Sequence, residues 1–242
     1  MANSTRMLVE TRRHAADTPW TYSSLDARQK EIALGIVRRG DSGRILLSEV
    51  APVVTLGRRT GPSDFLVARS ALARMGVDVL NVDRGGMATY HGPGQWVLFV
   101  VERLDRLVGD TRAVKRAVEM LLQIGLEVAR NYESRAEIKT GEHTGIWTKR
   151  GKVGSVGVHA HEGVLLHGLS LNGFETRVSF MGIKPCGMDP REHLMDYLLG
   201  RVEKHSEEFS SMGIRLAHAA VSAVPAASKE LGDVDSRPSE VH

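Results

Sequence analysis

Apolar segments of two periods are interleaved along this chain, and the interleaving is not a strict strand–helix alternation. Residues 112–132 place Val114, Ala117, Val118, Leu121, Leu122 and Val128 at the spacing of one helix face. Residues 22–39 predict a second helix, with Leu25, Ile32, Ala33 and Ile36 forming its stripe and Gly40 ending it. A short helix is predicted near residues 70–75, stopped by Gly76. Strand patterns fall at 44–55 (a buried pair or one bent strand), around Val77 and Val79, and at 96–101. Two more, 152–161 and 164–172, flank Glu162-Gly163, a hairpin signal. A last helix is predicted over 190–209. Asp189 is a good N-cap, Pro190 suits the first position and Glu192 the third, and Leu194, Met195, Leu198, Leu199 and Val202 make the stripe. Strands and helices so mixed favour an α/β (mixed α+β) class.

The expected layout is an N-terminal extension over residues 1–20, one domain over 21–216 and a mobile C-terminal tail over 217–242. A chain of 242 residues with 42% hydrophobic content suits one domain with a substantial core. Net charge is +3, so the surface is mildly basic. With 5% aromatics and no run of Lys and Arg, the composition argues against nucleic-acid binding. No apolar stretch nears the roughly 20 residues of a membrane helix. Residues 1–20 lack the apolar centre of a secretory signal. A single cysteine fits a reducing compartment, and a cytoplasmic location is expected.

That cysteine, Cys186, lies in Lys184-Pro185-Cys186-Gly187-Met188, just ahead of the predicted last helix. It is either a small buried hydrophobe or a nucleophile. Backbone N–H groups at a helix start favour an anion, so this position favours the thiolate. Two loops offer it partners. Arg84-Gly85-Gly86-Met87-Ala88-Thr89-Tyr90-His91-Gly92-Pro93-Gly94-Gln95 packs polar side chains among four glycines between two strands. It is neither a dinucleotide fingerprint nor a P-loop, and it predicts a binding loop. In Gly151-Lys152-Val153-Gly154-Ser155-Val156-Gly157-Val158 a lysine enters a strand of small residues, and glycine within a strand marks close approach by a ligand or another backbone. Lys152 is either a solvated edge residue or points into a pocket. His159 and His161 share one strand face and predict a solvent-facing pair rather than a metal site. Trp96 and Trp147 predict core or pocket walls.

Together with Gly145-Ile146-Trp147, His167-Gly168-Leu169-Ser170-Leu171-Asn172 and Pro185-Cys186-Gly187, these segments resemble the lipoyl(octanoyl) transferase family over about residues 45–200. The resemblance implies the biotin/lipoate protein ligase-like fold, a mixed sheet packed with helices. It implies transfer of an octanoyl or lipoyl group from acyl carrier protein to a lysine of a lipoyl domain, in lipoate biosynthesis and protein lipoylation. The acceptors it implies are the lipoyl domains of 2-oxoacid dehydrogenases and the glycine cleavage H protein. No cofactor, metal, membrane or nucleic acid is implied. Cys186 takes the place of the nucleophile that becomes an acyl thioester, and Lys152 that of its partner in a Cys/Lys dyad. Arg84, Gly85, Gly86, Met87, Ala88, Thr89, Tyr90 and His91 fall in substrate-binding stretches, as do Ser155, Val156, Gly157, Gly168, Leu169 and Ser170. The Val50-Ala51-Pro52 run and Met87 depart from the family's usual residues.

Three details follow as expectations. Small residues at Gly154 and Gly157 leave room for the acyl chain. The oxyanion donor is a backbone N–H near Gly86, Gly157 or Gly187. Arg58, Arg59, Lys149 and Arg150 form a docking rim for acidic partners. The alternatives are an ATP-dependent lipoate–protein ligase of the same fold and a non-catalytic acyl- or carrier-protein-binding module.

Overall fold

The computed structural model describes residues 7–189, 194–200 and 207–225. Its strands are β1 (Leu8–Arg13), β2 (Arg44–Glu49), β3 (Val53–Leu56), β4 (Asp78–Asn81), β5 (Thr89–His91), β6 (Gln95–Val101), β7 (Glu137–Lys139), β8 (Gly145–Trp147), β9 (Lys152–His161) and β10 (Val164–Asn172). The helices are α1 (Tyr22–Arg39), α2 (Arg69–Arg74), α3 (Leu104–Val108), α4 (Val114–Ala129) and α5 (Glu207–Ala223). Seven strands form the main sheet in the order β1-β2-β6-β10-β9-β8-β7, and β4-β3-β5 form a small one. The pairs β1–β2 and β3–β4 are parallel. The other ladders are antiparallel, among them β6–β10 and the β9–β10 hairpin. The sheet is therefore mixed and packed with helices, as the sequence predicts.

The unbroken apolar run of β6 is explained by two covered faces. Side chains alternate along a strand. Trp96, Leu98 and Val100 pack into one core with α4 and α5, while Val97, Phe99 and Val101 pack into another with α1. Strand β2 divides the same way, with Ile45 and Leu47 on one side and Leu46 on the other. The small sheet has its own core of Val54, Leu56, Leu72, Tyr90 and Ile183. Gly40 ends α1 in the left-handed region at φ 69°, as its position predicts. Leu8–Arg13, where the sequence shows no period, adds an edge strand to the main sheet.

The expected helix over 190–209 is not what the described residues form. Residues 190–193 and 201–206 lie outside them, and residues 194–200 are not helical. Their backbone is used in tertiary pairing. Lys152 N–H donates to the Leu194 carbonyl, Asp196 N–H donates to the Lys152 carbonyl, and Leu198 N–H donates to the Asn172 carbonyl. The stripe splits accordingly: Leu198 is buried and Leu194 exposed. These fixed partners outweigh the local cap signal and apolar spacing. The closing helix is instead α5, which continues beyond Leu216 to bury Ala219 and Ala220. Residues 226–242 of the expected tail lie outside the described residues.

Helix α5 completes the larger core through Phe209, which is fully buried, stacks on Trp96 at 4.9 Å and meets Phe174 edge-on at 5.0 Å. Truncation of a large buried aromatic typically costs about 3–5 kcal/mol. Phe209→Ala is therefore expected to lower the urea midpoint by that amount of stability, and an unchanged midpoint would show that α5 is not part of the cooperative core.

Candidate active site

Cys186 sits in a single 3-10 turn, Pro185–Gly187, with φ 56° and ψ 25°. This is left-handed backbone, uncommon for a residue with a side chain and strained relative to the right-handed region. Two bonds hold it: Cys186 N–H donates to the Ala88 carbonyl at 2.8 Å, and Gly187 N–H donates to the Lys184 carbonyl at 3.0 Å. Gly187 also lies against Met87, since a Cβ there would be 2.4 Å from the Met87 sulfur. The segment from Lys184 to Met188 is thereby fastened to the Gly-rich loop. The thiol is half-buried and 3.8 Å from the Ser155 hydroxyl.

Lys152 is the first residue of β9 and is 2% exposed, so the solvated-edge alternative does not hold. Its aliphatic stem runs past Gly145, where a Cβ would be 2.3 Å from Cε. Its ammonium lies 5.8 Å from the centre of the Trp147 ring. Gly145 and Trp147 thus shape the lysine channel, which accounts for the Gly-Ile-Trp segment. Among the described residues Lys152 makes no ion pair; the nearby Asp196 takes Arg150 and the Thr148 hydroxyl instead.

The Gly-rich loop runs into β5, whose alternation sorts its side chains. Met87, Thr89 and His91 face the same cavity as Lys152 and Cys186. Ala88 and Tyr90, both expected to touch substrate, face the small core instead. Tyr90 packs on Phe180 with ring centres 5.4 Å apart, and Ala88 contributes its carbonyl to Cys186. Thr89 is buried and its hydroxyl has no partner among the described residues. Gln95 Nε2 donates to Asn172 Oδ1, so Gln95 Oε1 accepts from His91 Nδ1 at 2.6 Å, leaving His91 Nε2 as an acceptor. Burial, and then the Arg84 cation, push His91 down to about 3, so the ring is neutral near pH 7. The Arg84 guanidinium is held by the Thr55 hydroxyl and carbonyl and by the Gly85 carbonyl. Burial lowers its pKa, while Tyr22 and Cys186 act in the opposite sense. A buried arginine therefore supplies positive charge beside Cys186, where the sequence expected a helix terminus.

All the other expected site residues meet around one cavity of about 290 Å³: Arg84, Gly85, Gly86, Ser155, Val156, Gly157, Gly168, Leu169 and Ser170 join those already placed. Gly154 does not. A Cβ on it would meet Ile146 at 2.9 Å, so it admits a core side chain rather than an acyl chain. Gly157 does border the cavity, with Arg84 against it at 3.2 Å from a Cβ. The apolar wall comes from Val97, Phe99, Val118, Val156 and Leu169. Of the backbone donors expected for an oxyanion, Gly187 N–H is spent on Lys184, whereas Gly86 borders the cavity at φ 88°. His159 and His161 rings lie 6.2 Å apart, with His159 against Arg58 and His161 near Glu162. No helix among the described residues is long and apolar enough to cross a membrane.

Tyr22 is the residue the sequence reading missed. It begins α1, far from every motif, and signals itself only as an aromatic at a helix start. It stacks on His91 at 5.2 Å, and its hydroxyl lies 3.1 Å from His167 Nδ1. Gln29 accepts from His167 N–H and places its own amide 3.3 Å from the same Nδ1. Nδ1 therefore accepts and the His167 ring is neutral. Burial chiefly lowers it to about 4, against an ordinary 6.5. Below pH 6.5 the unfolded chain takes a proton that the folded one refuses, so stability falls as pH drops from 6.5 toward 4, by about 3 kcal/mol at pH 4. Above 6.5 this contribution is flat. His167 has φ 61°, which Asn tolerates. His167→Asn should lose about 3 kcal/mol less than the wild type between pH 7 and pH 4 in urea unfolding. Equal losses would show that His167 is not held neutral.

Comparison with known proteins gives the same grouping. The profile of the lipoyl protein ligase A/B catalytic domain matches residues 27–206. An octanoyltransferase of Desulfotalea psychrophila is 35% identical over 174 residues, covering 69% of this chain and 75% of that protein. One of Magnetococcus marinus is 36% identical over 168 residues, covering 69% and 74%. Among solved structures, the putative lipoate protein ligase Ta0514 of T. acidophilum with bound lipoic acid aligns at TM-score 0.62 and 14% identity, covering 90% of this chain and 84% of that one. Lipoate-protein ligase A bound with ATP aligns at TM-score 0.62 and 14% identity, covering 92% and 87%. The fold is that of these ligases, and by the extent of the profile match and the identity of its relatives the chain belongs to the lipoyl protein ligase A/B catalytic domain family.

Proposed function

We propose that this protein is an octanoyltransferase that moves an octanoyl group from acyl carrier protein to a lysine of a lipoyl domain through a thioester on Cys186. The carrying observation is that Cys186, on strained left-handed backbone, and the buried Lys152 line one cavity with an apolar wall. The octanoyltransferases at 35% and 36% identity support the acyl group. A volume of about 290 Å³ is at the small end of ligand sites, which run from about 300 to 1,000 Å³, and suits a short chain.

In the first half-reaction the Cys186 thiolate attacks the thioester carbonyl of the donor. The Cys186 sulfur–carbon bond forms, the donor carbon–sulfur bond breaks, and the carrier leaves as its thiol after taking a proton from the Lys152 ammonium. One thioester replaces another of similar energy, so this step uses no ATP. The Arg84 cation and the Ser155 hydroxyl favour the anionic sulfur, and Gly86 N–H is the oxyanion donor. In the second half-reaction the acceptor lysine amine attacks the Cys186 thioester. Lys152 Nζ, left neutral by the proton it gave in the first half-reaction, takes the proton of the amine, and the Cys186 thiolate departs. The neutral His91 offers Nε2 as an acceptor to a substrate N–H. The lipoyl domains of 2-oxoacid dehydrogenases and the glycine cleavage H protein are the acceptors, and the setting is the cytoplasm.

Cys186→Ser should give no octanoyl transfer above background with an unchanged melting temperature, since the half-buried thiol contributes little packing. Lys152→Met keeps the stem and removes the amine. It should cut kcat/KM by about 10²–10⁴-fold, the range for loss of a general acid–base. Wild-type turnover by the first variant would remove the nucleophile assignment, and wild-type turnover by the second would remove the dyad.

A further inference from the structure

A second cavity lies apart from the candidate active site. It has a volume of about 610 Å³ and is bordered by Leu56, Arg58, Thr60, Phe65, Val67 and Arg69, among others. The turn from Gly57 to Thr60 borders both it and the catalytic cavity. That turn is stitched to the Gly-rich loop: Arg58 N–H donates to the Arg84 carbonyl at 3.1 Å, and Arg59 N–H donates to the Gly86 carbonyl at 3.0 Å. The two arginines part at this point. Arg58 lines the large cavity, and Arg59 lines the catalytic one. The large cavity also reaches β4 through Asn81, two strands from the β5 side that anchors Cys186. Adjacent strands are about 4.8 Å apart, so the lateral offset is about 10 Å.

Among the described residues Arg58, Arg59 and Arg69 make no ion pair with a carboxylate, whereas Arg13, Arg28, Arg103 and Arg150 all do. Arg150, expected on the docking rim, is taken by Asp196 and Glu133. Arg69 is held over the Phe65 ring at 4.9 Å, and Arg58 lies against His159 at 3.2 Å. Thr60 has a hydroxyl oxygen with no partner among the described residues. Beside the cavity, Leu66, Val67 and Met181 expose large apolar side chains, joined by the bond from Leu66 N–H to the Gly182 carbonyl.

From this placement we infer that the cavity binds the phosphodiester of a carrier protein's pantetheine arm, with Arg58 and Arg69 as the phosphate ligands and Arg59 guiding the arm over the turn to Cys186. The occupant is an acidic carrier protein whose apolar side chains cover Leu66, Val67 and Met181. Guanidinium groups suit phosphate oxygens in geometry and charge, and a basic rim speeds encounter with an acidic partner. The inference rests on the proposed transferase reading and names where its donor docks.

The test compares holo carrier protein, which bears the phosphopantetheine arm, with the apo form, which lacks it. Calorimetry on the wild type should show holo binding about tenfold tighter than apo. Arg58→Glu/Arg69→Glu should abolish that difference, and Arg58→Gln/Arg69→Gln should reduce it, both with wild-type melting temperatures. Free 4′-phosphopantetheine, but not pantetheine, should compete with holo carrier. Equal holo and apo affinity in the wild type, a difference that survives charge reversal, or equal competition by pantetheine would overturn the phosphate site. Octanoyl transfer by the wild type is assayed in parallel. Its absence, with the holo preference intact, would sink the transferase reading and leave the phosphate site standing. Transfer without a holo preference would do the reverse.

Discussion

The site depends on one hydrogen bond, from Cys186 N–H to the Ala88 carbonyl at 2.8 Å. It joins a turn late in the chain to the start of β5, and it holds Cys186 in left-handed backbone at φ 56°. Because Ala88 faces the small core, its neighbours Met87 and Thr89 must face the other way, toward the thiol. One bond thus brings the thiol and the Gly-rich loop to the same cavity. The flanking residues fit that geometry. Pro185 fixes its own φ, and Gly187 follows at φ 76° with Met87 filling the space beside it.

The second constraint is charge in a place that is nearly dry. Arg84 and Lys152 are 6% and 2% exposed, and neither makes a carboxylate ion pair among the described residues. Burying a cation without a counter-ion is costly. The protein offsets the cost for Arg84 with carbonyl and hydroxyl acceptors from Thr55 and Gly85, and for Lys152 with the face of Trp147. The neighbouring histidines add no further positive charge, because His91 and His167 are held neutral by burial. The cavity is therefore electropositive toward a sulfur anion or an oxyanion, with neutral acceptors and an apolar wall at its sides. That combination suits acyl transfer, in which negative charge appears and disappears at a carbonyl.

Much of this was legible because the signals were local. The β9–β10 hairpin follows from alternation around Glu162-Gly163, and α4 from its single apolar face. The Gly-rich loop and Lys152 stood out because glycine and polar residues interrupt apolar strands. The failures share a different cause, long-range pairing. The capped stripe after Asp189 looks helical in isolation, yet residues 194–198 give their backbone groups to Lys152 and Asn172. Gly154 looks like room for a ligand, but Ile146 from the next strand fills it. Tyr90 sits within the binding motif, but a strand period turns it away. Tyr22 reaches the site from a helix with no motif at all, because α1 covers the face of the sheet that carries Phe99 and His167.

The central claim is that the acyl group passes through Cys186. Its most direct test is intact-mass spectrometry of the wild-type protein mixed with octanoyl-carrier protein, without ATP and without an acceptor. The account predicts a gain of one octanoyl group, removed by hydroxylamine and mapped to the peptide that contains Cys186. An unmodified protein that still catalyses transfer once acceptor is added, or an adduct that forms only with ATP, would contradict it.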